Sequence, residues 1–224
     1  HGPEGLKQIA MDVSEKANAL KNALSSAGFS VLNESCFDTV SIDADLKILE
    51  KVLLEDKINI GYYKDSSTAV ISIDETTSWS QIKKLCNSLS KACDVEINLK
   101  KDTDFKVPLL RDDKILTHPV FNSYHSETEM MRYLKKLENK DLSLTHTMIS
   151  LGSCTMKLNA ASEMMPISIP EFANLHPFVP IEQAEGYQEI FKSLTKDLCD
   201  VTGFDAISLQ PNSGAQGEYA LSLI

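Results

Sequence analysis

The chain has 224 residues, of which 42% are hydrophobic and 24% are charged, a composition typical of a globular protein with one large or two small domains. The formal net charge of -10 argues against nucleic acid or an anionic membrane as the main partner. No apolar run is long enough to span a bilayer. The sequence starts at His1 rather than at a methionine, so we expect the native N-terminus to lie elsewhere.

The cysteines are scattered and odd in number, which favours a reducing compartment. Their spacing fits neither a metal site nor a disulfide framework, so we predict no metal. Four of the five are predicted to be packing residues, and the exception is Cys154. The five are Cys36, Cys86, Cys93, Cys154 and Cys199.

The first part of the chain begins with a helix, because residues 6–24 carry apolar side chains at helical spacing before Gly28. Residues 37–42 read as a strand. Asp43 is predicted to cap a following helix with Leu46, Leu49 and Leu53 on one face.

A β-hairpin is predicted next, from alternation in residues 58–62 and 69–73 around a polar turn. Ser78 and Gln81 match a capping box that opens another helix. The order α-β-α-β-β-α over residues 4–93 indicates a small α+β domain, residues 1–95, with its helices on one sheet. Nothing in this domain concentrates catalytic side chains.

Residues 96–140 are interpreted as an ordered connector, because they lack periodicity but are too apolar for a free tether. A second capping box, Ser126 with Glu129, opens a helix in this connector. The side chains predicted to face inward on that helix are Met130, Tyr133, Leu134 and Leu137.

Residues 141–224 resemble the beginning of a doubly wound α/β domain. A loop-rich stretch leads to an amphipathic helix over 187–201 that ends near Gly203, and residues 204–209 read as a strand. A turn follows, and then a helix whose first turn, at residues 213–215, would present free backbone N–H groups. Such a terminus attracts phosphate through its unpaired donors and the helix dipole.

A second candidate site is the loop that contains Ser153, Cys154 and Thr155. From the chemistry of the residues alone, a polar turn with an N-cap is favoured over a binding loop by roughly two to one. Cys154 would be a nucleophile only beside a base or a positive charge. His176 precedes a proline, and in isolation it is more often a loop histidine than a ligand.

Four strings together resemble one family, the pyridoxal-phosphate-dependent P-proteins of the glycine cleavage system, or glycine dehydrogenases (decarboxylating). Their order and approximate spacing match as well. The strings are FNSYHSET at 121–128, LGSCTMKLN at 151–159, EFANLHPF at 171–178 and QPNSGAQGEYA at 210–220.

The resemblance implies an architecture of two related halves, each with a type I aminotransferase-like fold. Residues 1–95 would be the small α+β domain that closes the first half, and residues 96–140 the connector. Residues 141–224 would be the opening part of the second, cofactor-binding half. The expected fold class is therefore a combination of α+β and α/β.

The resemblance also implies the site. Ser213, Gly214, Ala215 and Gln216 match the positions that hold the phosphate of pyridoxal phosphate. Ser153, Cys154 and Thr155 match a loop beside cofactor and substrate. With the resemblance, a binding loop is favoured over a simple polar turn at these residues. His176 is a weaker candidate for the same site. The lysine that binds the cofactor belongs to a His-Lys motif expected beyond Ile224.

The activity implied is release of carbon dioxide from glycine and transfer of the aminomethyl group to the lipoyl arm of H-protein. The full-length protein would be a homodimer, cytoplasmic in a bacterium and mitochondrial in a eukaryote, without nucleic acid or membrane partners. This chain alone would be inactive without the lysine. The alternative is a module without catalysis, which binds phosphate or metabolites or serves assembly.

Overall fold

The computed structural model describes residues 1–101, 110–142, 146, 148 and 160–223, and it divides the chain into two compact units, 1–148 and 149–224. It combines helices with one four-stranded antiparallel sheet, which confirms the expected mixed α and β class. Within the described part of the chain, no helix is long and apolar enough to cross a bilayer.

The first unit begins with helix α1, Gly2–Ser26, which confirms the predicted helix. Its apolar stripe is buried, with Leu20 and Leu24 at 0% exposure. The helix ends as expected at a glycine, because Gly28 adopts φ +91° and the Phe29 N–H donates to the Leu24 carbonyl at 3.0 Å.

The sheet has the strand order β1-β2-β4-β3, and all its pairs are antiparallel. Val40 lies opposite Ile71 and Ile42 opposite Ala69, so one face of the two central strands is buried. The strands are β1, Ser30–Val31; β2, Thr39–Asp43; β3, Gly61–Tyr63; and β4, Thr68–Ser72.

The predicted hairpin is confirmed, but its first strand begins at Gly61 rather than at Ile58. The Ile58 N–H instead donates to the Leu53 carbonyl at 2.8 Å and so closes the preceding helix. Strand β1 was not predicted, because two residues are too few to show alternation.

Helix α2, Leu46–Glu55, is capped by Asp45, so the prediction that Asp43 caps it is wrong. The Asp45 carboxylate accepts the Lys47 and Ile48 N–H groups at 3.0 and 3.3 Å. Asp43 is still part of β2, where it pairs with Thr68. Asp43 lies two residues before the N-cap position, which Asp45 occupies.

Helix α3, Trp79–Cys93, has the predicted capping box. The Ser78 hydroxyl accepts the Gln81 N–H at 3.3 Å, and the Gln81 side chain accepts the Ser78 N–H at 2.7 Å. The three helices and the buried face of the sheet share one core, to which they contribute Leu20, Leu24, Val40, Ile42, Leu49, Leu53, Ala69, Ile71, Ile82, Leu85 and Leu89. This is the α+β arrangement expected for these residues.

Asp56 joins the end of α2 to α3. Its carboxylate accepts the Ser88 hydroxyl at 2.5 Å and the Lys91 ammonium at 3.2 Å. The Ser88 hydrogen bond first, and then Lys91, hold the pKa of Asp56 below its usual value.

A depressed carboxyl pKa adds stability that is present above the unfolded pKa and lost as pH falls through the folded pKa. We therefore expect Asp56→Asn to lower the free energy of unfolding at pH 7. The deficit should shrink as pH drops below about 4, the ordinary aspartate range. Urea unfolding from pH 7 to pH 2.5 measures this, with the exposed Glu75→Gln as control. A deficit that does not change with pH would show that the charge of Asp56 does not contribute.

The last helix of the first unit, α4 over Glu127–Glu138, has the predicted capping box between Ser126 and Glu129. The prediction that its apolar residues face inward is wrong for this chain. Met130 and Leu134 are 44% and 56% exposed, and only Tyr133 is half-buried, stacked on Tyr124 at 4.2 Å. Helical periodicity identifies an apolar face but not whether another element covers it.

The second unit contains the short helices α5, Ala161–Met164, and α6, Pro170–Ala173, and the longer helices α7, Glu185–Thr202, and α8, Gly214–Ser222. Helix α7 and its end at Gly203, with φ +74°, are as predicted. The predicted strand over 204–209 does not form. A strand needs a neighbour for its N–H and C=O groups, and the described residues supply none for this segment.

Candidate functional site

The start of helix α8 is built by Ser213 and Gln216. Ser213 is the N-cap, and its hydroxyl oxygen accepts the Gln216 N–H at 3.3 Å. The Gln216 side chain reaches back and accepts the Asn212 N–H at 2.6 Å. This resembles a capping box in which the returning side chain contacts the residue before the N-cap. The side chains of Ser213 and Gln216 therefore stabilise this turn through hydrogen bonds to backbone N–H groups before and after it.

The groups that remain for a ligand at this turn are the N–H groups of Gly214 and Ala215. They lie in the first turn, where a helix provides no acceptor, and both residues are exposed. The Gln216 N–H, in contrast, is already bound to Ser213. Apart from its chain neighbours and the backbone of its own helix, no atom of the described residues lies within 4 Å of the position of a Cβ on Gly214.

This donor set fits a phosphate group. Two backbone N–H groups and the Ser213 hydroxyl can donate to acceptor-only oxygens, and the positive end of the helix dipole favours the negative charge. The residues predicted at 213–216 therefore have a geometry suitable for the phosphate of pyridoxal phosphate. Their roles are unequal, since Gln216 supports the turn through its side chain.

His176 lies between α6 and α7 and is exposed. Its Nδ1 accepts the Phe178 N–H at 3.1 Å, and its ring lies 5.7 Å from the Phe178 ring. The segment is tied to α7, because the Tyr187 hydroxyl donates to the Phe172 carbonyl at 2.9 Å. This use of the imidazole was not predicted, although a histidine before a proline is a pattern that suggests a turn.

The other predicted loop, with Ser153, Cys154 and Thr155, lies outside the described residues. Those three positions therefore remain a prediction. Among the described residues, no group of three or more His, Cys, Asp and Glu side chains is placed to hold a metal ion.

The cysteines with raised pKa values lie in the first unit. Burial raises the pKa of the Cys86 thiol to about 11 and also raises that of Cys36. A thiol with a raised pKa is a weak nucleophile at neutral pH, which agrees with the prediction that these two are packing residues.

Comparison with known proteins places the sequence of this chain in a family. A family model described as glycine cleavage system P-protein matches residues 1–89. Glycine dehydrogenase (decarboxylating) of Christiangramia forsetii is 51% identical over 224 residues, which covers 98% of this chain and 24% of that protein. The chain belongs to the glycine cleavage system P-protein family.

Other P-proteins match over the same share of the chain. Glycine dehydrogenase (decarboxylating) of Shewanella amazonensis is 49% identical over 228 residues, and the mitochondrial protein of Gallus gallus is 47% identical over 228 residues. Each match covers 98% of this chain and 24% and 22% of the relative, respectively. The chain thus spans about a quarter of the length of the P-proteins it matches.

Proposed function

We propose that this chain is part of a pyridoxal-phosphate-dependent glycine decarboxylase. The complete protein releases carbon dioxide from glycine and transfers the remaining aminomethyl group to the lipoyl arm of H-protein. The observation that carries the proposal is about 50% identity to glycine dehydrogenases (decarboxylating) over 98% of the chain. The phosphate-compatible donors at the start of α8 support it.

In this proposal, Ser213, Gly214, Ala215 and Gln216 hold the phosphate of the cofactor. Gly214 and Ala215 donate through their backbone N–H groups, Ser213 donates through its hydroxyl, and Gln216 keeps the turn in shape. When bound, pyridoxal phosphate would supply the electron sink for the electron pair released with carbon dioxide. The chain's own contribution is to bind and orient the phosphate end.

The substrate side is assigned to Ser153, Cys154 and Thr155, with His176 as a further member. The hydroxyls and the thiol offer donors and acceptors for the carboxylate and amine of glycine. The family resemblance supports these roles.

The organisation proposed for the complete protein follows the same resemblance. Residues 1–95 would form the small α+β domain at the end of the first half, and residues 96–140 the connector between the halves. Residues 141–224 would form the beginning of the second, cofactor-binding half. The complete protein would act as a homodimer with lipoylated H-protein, in the cytoplasm of a bacterium or in a mitochondrion.

This chain by itself is expected to be inactive. None of its five histidines is followed by a lysine, so the His-Lys motif expected to bind the cofactor covalently is not in this sequence. Without that lysine the cofactor cannot be held in its reactive position.

The test is release of labelled carbon dioxide from glycine, with pyridoxal phosphate and lipoylated H-protein present. The full-length protein should release it, and the 224-residue chain should release no more than free pyridoxal phosphate does. Activity of the chain alone would disprove the proposed role of the lysine. An inactive full-length protein that still binds phosphate esters would favour the alternative, a binding or assembly module without catalysis.

A further inference from the structure

Two turns of the same histidine–proline type lie among the described residues. In residues 176–179, Nδ1 of His176 accepts the Phe178 N–H at 3.1 Å, and the His176 carbonyl accepts the Val179 N–H at 3.2 Å. In residues 118–121, Nδ1 of His118 accepts the Val120 N–H at 3.1 Å, and its carbonyl accepts the Phe121 N–H at 3.1 Å. The imidazole takes the place of the Asn or Asp side chain that often closes such turns.

The turn fixes the protonation of the ring. A backbone N–H can only donate, so Nδ1 of His176 carries no proton while this bond exists. The neutral imidazole then carries its proton on Nε2. With Nδ1 engaged in the turn, Nε2 is the ring nitrogen that is left to contact another group, and it does so as a hydrogen-bond donor.

The two histidines differ in what their turns support. His118 is the N-cap of the 3-10 helix Pro119–Asn122, so helix capping accounts for its side chain. No helix starts at the His176 turn. Among the described residues, moreover, none accepts a hydrogen bond from Nε2 of His176.

The His176 donor is also held in place. Its ring is fixed by the Nδ1 bond, Pro177 restricts the backbone, and the segment before it is tied to α7 by the bond from Tyr187 to Phe172 at 2.9 Å. The Phe172 and Tyr187 rings pack edge to face at 5.9 Å. An exposed donor with little freedom to lose is suited to binding, because ordering it on contact costs little entropy.

From this geometry we propose that His176 binds an anionic oxygen of the reactants through Nε2–H, while Nδ1 closes the turn. The oxygen belongs to a carboxylate or a phosphate, and the proposal rests on the function proposed above. It assigns the histidine a defined tautomer and a donor role within that site.

Two amide substitutions separate the two functions of the ring. In His176→Asn, the side-chain oxygen replaces Nδ1 and can close the turn, but nothing occupies the place of Nε2. In His176→Gln, an amide N–H lies near the place of Nε2, but the acceptor of the turn is lost. His118→Asn and His118→Gln are the matched controls at a turn whose histidine is explained by capping.

The measurement is labelled carbon dioxide release from glycine by the full-length protein with pyridoxal phosphate and H-protein. We expect kcat/KM for glycine to be at least about tenfold higher for His176→Gln than for His176→Asn, the size of one hydrogen bond to a charged group. The His118 pair should show no such preference. A raised KM for glycine would identify a carboxylate as the partner, and weakened cofactor binding would identify a phosphate.

A His176→Asn protein that is as active as His176→Gln, or more active, would overturn the proposal and leave only a turn-closing role. A full-length wild type that releases no carbon dioxide would overturn the proposed function, and with it this role. The tautomer has its own test, nitrogen-15 NMR of the 224-residue chain labelled at histidine. His176 should show the proton on Nε2, and a proton on Nδ1 would overturn the assignment whatever the activity.

Discussion

Gly214→Asp is expected to weaken binding of pyridoxal phosphate to the full-length protein by about 1,000-fold or more. The reason is electrostatic, because a carboxylate would occupy the place where the Gly214 and Ala215 N–H groups meet a dianion. Loss of two hydrogen bonds to a charged group accounts for a factor of this order. Ser213→Ala removes one hydroxyl and keeps the backbone donors, so it should cost only about 1 to 3 kcal/mol.

The fold should tolerate the aspartate. A Cβ on Gly214 would meet no atom within 4 Å in the part of the chain that the structure describes, other than its chain neighbours and its own helix backbone. An acidic residue in the first turn of a helix is also favourable. The loss of cofactor binding would therefore not be a loss of structure. Gly214→Asn, which has the same shape without the charge, is the matched control and should bind the cofactor more tightly than Gly214→Asp.

Titration of the apoprotein with pyridoxal phosphate, followed by cofactor absorbance, gives the affinities, and circular dichroism checks the fold. If Gly214→Asp binds the cofactor as tightly as wild type does, the phosphate lies elsewhere. The assignment of residues 213–216 would then be wrong.

Leu20→Ala is expected to lower the free energy of unfolding of the first unit by about 2 to 5 kcal/mol. Leu20 is 0% exposed and belongs to the core shared by α1, the sheet and the other two helices. Truncation removes its burial and leaves a cavity. A loss of this size is a large fraction of the stability of a small domain.

The control for this prediction is Leu134→Ala in α4. Leu134 is 56% exposed, so we expect a change within about 0.5 kcal/mol. Urea unfolding followed by the fluorescence of Trp79, the only tryptophan, measures both variants. Equal destabilisation by the two substitutions would contradict the assignment of Leu20 to the core and of Leu134 to the surface.

Local signals in the sequence predicted local structure well. The capping boxes at Ser78 and Ser126 and the helix ends at Gly28 and Gly203 depend on residues within one turn, and all four are present. The prediction that Asp43 caps α2 was wrong, because the position of the cap depends on where β2 ends. Pairing with Thr68 decides that point, and Thr68 is distant in sequence.

Features that depend on distant partners could not be predicted in the same way. Residues 204–209 have the composition of a strand, but the described residues include no neighbouring strand for them to pair with. The apolar face of α4 is a similar case, because periodicity does not supply a covering element. At the candidate site, the sequence predicted the start of a helix at residues 213–215. It did not predict that Ser213 is the N-cap, that Gln216 accepts the Asn212 N–H, or that His176 closes a turn.

The location of the cofactor phosphate is tested most directly by a structure of the full-length protein with pyridoxal phosphate bound. We expect a phosphate oxygen within about 2.7 to 3.2 Å of the backbone nitrogens of Gly214 and Ala215, with Ser213 still capping α8. A phosphate group bound away from the start of α8 would contradict the site proposed for this chain.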